Sequence, residues 1–171
     1  MDMKKIIFTA VFISLAFLVV AQSNPVDDLF NKYSEKDGFT VVTISGKMFN
    51  MFADQDAVKS AEGKVINRLK SIRILSVEDS FLNTNINFYS ELSKKLDFSA
   101  FEELMVVKEG QDITKFLVRQ KGDIITELLV ITGGPGGNSL ISIQGDLDMK
   151  SLSDISREIG IQEIDQLKKK P

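Results

Sequence analysis

The chain has 171 residues, 43% of them hydrophobic and 26% charged, with a formal net charge of −3. That composition is ordinary for one globular domain and is long enough to bury a core without cross-links. There is no His, Cys or Trp, which excludes disulfides, Cys- or His-based zinc sites, Ser–His and Cys–His nucleophiles and the common haem ligands, while the acidic balance offers no footprint for nucleic acid.

The first segment, MDMKKIIFTAVFISLAFLVVAQ, sets Lys4 and Lys5 ahead of an apolar run from Ile6 to Val20 that closes on the small residue Ala21. This is the layout of a secretory signal peptide over residues 1–21, with cleavage expected after Ala21. The run is shorter than the roughly 20 apolar residues that cross a bilayer, so no stable membrane span is expected after cleavage. Removing residues 1–21 takes away two lysines and one aspartate and leaves a charge of −4. With no cysteine to carry a lipid, the expected location is the periplasm or the medium.

A single α+β domain is expected over 22–160. In NPVDDLFNKYSEKDGF, Pro25 suits a first helical turn, and Val26, Leu29, Phe30 and Tyr33 fall on one helical face, with Gly38 as the stop. FTVVTIS, Phe39–Ser45, reads as a strand. GKMFNMFA reads as a short helix or a turn. From Asp56 to Lys70 the apolar positions Val58, Ala61, Val65 and Leu69 repeat at helical spacing. SIRILSVE is a second strand, with Ile72 and Ile74 on one face and Arg73, Leu75 and Val77 on the other. Thr84 is a candidate N-cap for a helix burying Ile86, Tyr89, Leu92 or Ser93, and Leu96.

From Phe101 the period shortens to two. FEELMVVKEG, ITKFLVRQKG, DIITELLVIT and SLISIQGDL form a four-strand C-terminal meander, with Gly110 and Gly122 supplying positive φ in tight turns. Asp148 caps a last helix burying Met149, Leu152, Ile155 and Ile159, closed by Gly160. Residues 161–171 are a basic tail. The expected fold is a mainly antiparallel sheet covered by helices.

The most function-like string is VITGGPGGNSLISI. A phosphate-binding loop needs its glycines between a strand and a helix, whose N-terminus supplies the N–H groups. Here another strand follows, and the Lys-Ser/Thr pair of a P-loop is missing. The expectation is a flexible hairpin tip, with Pro135 and Gly136 at the two centres of a type II turn and no nucleotide site.

Other chemistry is sparse. No serine is followed by lysine three positions later, so the S-x-x-K pairing is absent. Asp146-Leu147-Asp148 lacks the alternating oxygen ligands of a calcium loop, because Met149 and Lys150 follow. Adjacent Glu102 and Glu103 point to opposite faces of a strand and do not converge. No catalytic, cofactor-binding or metal residue is assigned. The remaining candidate is a partner patch of Met48, Phe49, Met51 and Phe52, since Met side chains repack readily against a partner. The competing reading of that stripe is core packing, with at least one phenylalanine buried.

The segments VDDLFNKYSEKDGFTVVTISGKMFNMF, RILSVED, FEELMVVKEGQDITKFLVRQKGDIITELLVIT and LISIQGDLDMKSLSDIS, taken together over roughly residues 25–160, resemble the DUF4252 proteins of Bacteroidetes. The resemblance implies an exported protein and carries over no active site. Many members look like lipoproteins, from which this cysteine-free chain departs. Family genes can lie near those of extracytoplasmic-function sigma factors, which implies an accessory role in envelope signalling. The leading expectation is a non-enzymatic binding or interaction module of the bacterial envelope, whose partner is an envelope protein or a small ligand. The alternative is a carboxylate-dependent hydrolase with scattered site residues. Two converging carboxylates in a cleft would favour the enzyme, and an exposed apolar patch around Met48 the binder.

Overall fold

The computed structural model describes residues 24–52 and 68–148, without the side chains of Phe49, Asn50 and Phe52. The signal segment, most of the helix expected at 56–70, the final helix and the tail lie outside the described residues. Asn24 caps the first helix, α1 (Pro25–Tyr33), accepting from Val26 N at 3.0 Å, and Val26, Leu29, Phe30 and Tyr33 are buried along it. The helix ends at Tyr33, five residues before Gly38, whose φ of +82° instead turns the chain into β1 (Phe39–Ser45).

Helix α2 (Gly46–Phe52) follows β1 directly. Strand β2 (Leu69–Val77) begins two residues earlier than its sequence suggests. Leu69 and Lys70 therefore belong to a strand rather than to the helix expected through Lys70. Leu69 pairs with Gly145 on a neighbouring strand, and such a ladder contact overrides local helical spacing.

Helices α3 (Ser80–Asn85) and α4 (Phe88–Ser93) come next. Thr84 caps neither: it lies inside α3, where its hydroxyl donates to Phe81 O at 2.8 Å. The caps are Asp79 for α3, accepting from Phe81 N at 2.7 Å, and Asn87 for α4, accepting from Ser90 N at 2.7 Å. Phe88, Leu92 and Leu96 carry the burial expected of this region, whereas Ile86 and Tyr89 are half-buried.

After a short 3₁₀ turn (Phe98–Ala100), strands β3 (Glu102–Glu109), β4 (Asp112–Lys121), β5 (Ile124–Gly133) and β6 (Ser139–Leu147) follow in succession. All six strands form one antiparallel sheet in the order β1-β2-β6-β5-β4-β3. The α+β class holds, and the four C-terminal strands are part of this larger sheet. Gly110 and Gly122 turn their hairpins at φ of +61° and +63°, as expected.

Side chains alternate between two apolar layers. One contains Ile72, Phe116, Val118, Leu128, Val130 and Ile143. The other packs Leu75, Leu117, Leu129, Ile131 and Leu140 of the sheet against Val26, Phe30 and Tyr33 of α1 and Phe88 and Leu92 of α4. Tyr33, Phe39 and Phe88 stack within it at centroid distances of 4.5 to 6.4 Å. Strands β5 and β6 are buried on both faces, and the run Leu128–Ile131 of β5 is accordingly continuously apolar.

Candidate binding surface

The glycine loop joins β5 to β6, so the helix that phosphate binding requires does not follow it. Its turn differs from the expected type. Gly137 N donates to Gly134 O at 3.2 Å, which puts Pro135 and Gly136 at the centres, but Gly136 lacks positive φ. The turn is not type II.

The loop is also tied down rather than a loose tip. Gly136 N donates to the Asp112 carboxylate at 2.9 Å. A Cβ on Gly134 would lie 2.0 Å from Asp112 Oδ1 and 2.7 Å from its Cα, and one on Gly133 would meet Tyr89 N at 2.7 Å. These glycines serve close approach of neighbouring chain, not a left-handed backbone. Asn138, 3% exposed, completes the anchor. Its Oδ1 accepts from Phe88 N at 2.8 Å, and its Nδ2 lies 3.0 Å from each of Ile86 O, Gly134 O and Asn83 Oδ1. One amide side chain thus fastens the loop to the α3–α4 junction.

A groove of about 470 Å³ runs between α1 and α4, lined by Asp28, Leu29, Lys32, Glu91 and Lys95 among others. Glu91 holds it together, accepting from Lys32 Nζ at 2.5 Å and from the Tyr33 hydroxyl at 2.6 Å. Burial pushes the Glu91 carboxyl up, but these two donors outweigh burial and leave it below the ordinary carboxylate value. The hydrogen bond to Glu91 raises Lys32, and burial together with Glu91 raises Tyr33.

Four carboxylates elsewhere are paired with bases. Asp27 meets Arg73 at 2.6 Å, Glu103 meets Lys115 at 2.6 Å, Asp146 meets Lys70 at 2.8 Å and Asp148 meets Arg68 at 3.2 Å. Glu102 turns to the opposite face from Glu103 and accepts from Gln120 at 2.9 Å, so the two diverge as their adjacency requires. Glu127 is the buried acid among the described residues. It accepts from Ser142 Oγ at 3.1 Å and Gln144 Nε2 at 3.3 Å, with Arg119 Nε at 3.8 Å. Sequence reasoning missed this cross-strand cluster. Its members share a sheet face only through the register that sets Arg119 opposite Glu127 and Glu127 opposite Gln144. No group of three or more acids that could hold a metal occurs among the described residues.

Of the patch proposed from sequence, Met48 is 46% and Met51 82% exposed on α2. The side chains of Phe49 and Phe52 lie outside the described residues. Helix α2 sits against β1 and β2, and a Cβ on Gly46 would come within 2.5 Å of Leu69 O, so the helix start is pressed close to β2. The exposed methionines therefore lie on a helix that directly follows β1 and packs against both β1 and β2, and β1 is an outer strand of the sheet among the described residues.

The model of a domain of unknown function, DUF4252, matches residues 33–155, well over half of the chain. The chain belongs to the DUF4252 family. The matched DUF4252 span takes in all six strands, the glycine loop with its Asn138 anchor, and α2 with its methionines. No curated protein and no solved structure matches this DUF4252 chain. Among the described residues no helix is long and apolar enough to cross a membrane.

Proposed function

We propose that this DUF4252 protein is an exported, non-enzymatic binding module of the bacterial envelope. It engages an envelope protein or a small ligand through α2 and the adjoining edge of β1. The observation that carries the reading is the exposure of Met48 and Met51 on the helix that directly follows β1, a strand on which Val42 is also 39% exposed. Adaptable thioether side chains on a helix next to a strand that has no outer ladder partner among the described residues suit a docking surface. Export rests on the charged start and apolar run of residues 1–21.

A photo-crosslinking residue at position 48 or 51 tests the surface in cells. One discrete product is expected, and it should weaken when Val42→Lys places a charge on the neighbouring edge. No discrete product at either position would overturn the reading. Intact-mass measurement of the periplasmic protein tests export, for which loss of residues 1–21 is expected and their retention refutes it.

A further inference from the structure

With no cysteine in the chain, its sulfur chemistry falls to methionine alone. Met48, Met51 and Met105 are the methionines among the described residues, and their surroundings differ. Met51 is 82% and Met48 46% exposed. Met105 of β3 is partly buried and packs against the apolar layer that contains Ile72, Phe116 and Val118. Met48 and Met51 stand three residues apart on α2, so their thioethers are neighbours on one helical face.

We infer that Met48 and Met51 form an oxidation site, and that their modification by a peroxide switches off the docking surface on α2. The inference rests on that docking reading and adds its regulation. With hydrogen peroxide, a lone pair of the methionine Sδ attacks one peroxide oxygen, and the S–O bond forms as the O–O bond breaks. The displaced hydroxide takes the proton left on the transferred oxygen and departs as water. Sulfur gives up two electrons, the peroxide accepts them, and the thioether becomes a sulfoxide.

Access to sulfur sets the order of reaction, so Met51 goes first, Met48 next and Met105, less exposed than either, last. No thiol of the chain competes for the oxidant. Each sulfoxide turns a flexible apolar side chain into a polar, chiral one, and burying its oxygen against an apolar partner without a donor is costly. Neither side chain belongs to the core, so the change falls on docking and spares the fold. Sulfoxide reductases reverse it, one class for each epimer. The proposed export places both sulfurs in an oxidising compartment.

Two measurements test the site and the switch separately. Purified chain is treated with hydrogen peroxide and followed by peptide mass mapping, where Met51 and Met48 should gain oxygen on the order of tenfold faster than Met105. The oxidised chain should melt within about 2 °C of the untreated one. In cells, a photo-crosslinking residue replaces the exposed Lys47, which leaves both methionines in place. A peroxide pulse should reduce its discrete product several-fold. The double variant Met48→Leu, Met51→Leu keeps the apolar volume and cannot take up oxygen, so its product should survive the same pulse.

Oxidation of Met105 as fast as Met51 would overturn the site. An unchanged product with both sulfurs oxidised would overturn the switch and leave the docking surface standing. Loss of the product from the leucine variant as well would also overturn the switch, since the peroxide would then act elsewhere. No product before or after the pulse would remove the docking surface and the switch together, while ordered oxidation of Met51 and Met48 would still support the modification site.

Discussion

Asn138→Ala should destabilise this domain more than any exposed polar substitution. The side chain is buried and makes four close polar contacts, to Phe88 N, Ile86 O, Gly134 O and Asn83 Oδ1. Truncation leaves a backbone donor and two backbone carbonyls without this partner, in a place where the surrounding apolar side chains limit access of water. At about 1 kcal/mol for each lost bond, with a further penalty where a group stays unsatisfied, the expected cost is about 3 kcal/mol. For a domain of this size that corresponds to a fall in melting temperature of about 6 to 12 °C. Asn83→Ala removes a single acceptor at the exposed end of the network and should cost about 1 kcal/mol or less. Thermal melts followed by circular dichroism, together with a double-mutant cycle between the two positions, measure both effects. A melting temperature for Asn138→Ala within about 2 °C of the parent, equivalent to under 1 kcal/mol, would refute the idea that this amide joins the loop to the helices.

Gly134→Ala should cost about 1–3 kcal/mol in denaturant unfolding, because its Cβ would sit 2.7 Å from Asp112 Cα, while Gly137→Ala, with nothing within 4 Å, should stay within about 0.5 kcal/mol. Equal effects would contradict the close-approach explanation. The Glu91 carboxyl is held below its ordinary value of 4.5, so its contribution is present above that pH and is lost as the pH falls through the folded value. Glu91→Gln should therefore be less stable than the parent at pH 7, with the gap narrowing below about pH 4.5. Lys32 and Tyr33 are raised from 10.5 and 10.0, so their contributions are present below those values and fade above about pH 10. A pH series of melts for parent and Glu91→Gln checks both flanks, and a gap that persists unchanged into acid would show that Glu91 acts by packing alone. Met48→Ala and Met51→Ala should leave stability within about 0.5 kcal/mol, as their exposure implies, and a loss of several kcal/mol would return the stripe to the core.

What the sequence determined by itself was local. The face of α1 with Val26, Leu29, Phe30 and Tyr33, the period-two runs from Phe101 onward, the turns at Gly110 and Gly122 and the strand that follows the glycine loop all depend on spacing within a few residues. Local preference gave no unique helix start between Asn83 and Asn87, where several capping residues compete. Tertiary contact decided it, because Asn138, some fifty residues away, holds Phe88 N and Ile86 O, and Asn87 rather than Thr84 takes the cap. The roles of Gly133 and Gly134 were hidden for the same reason, since nothing in GGPGG states which chain will press against it. Strand order was likewise beyond the sequence: β2 joins β6 through hydrogen bonds between segments some seventy residues apart, and that pairing leaves β1 at the sheet edge. Spacing along the chain encodes which face of an element is apolar, but only the closed ladder decides which strands become neighbours.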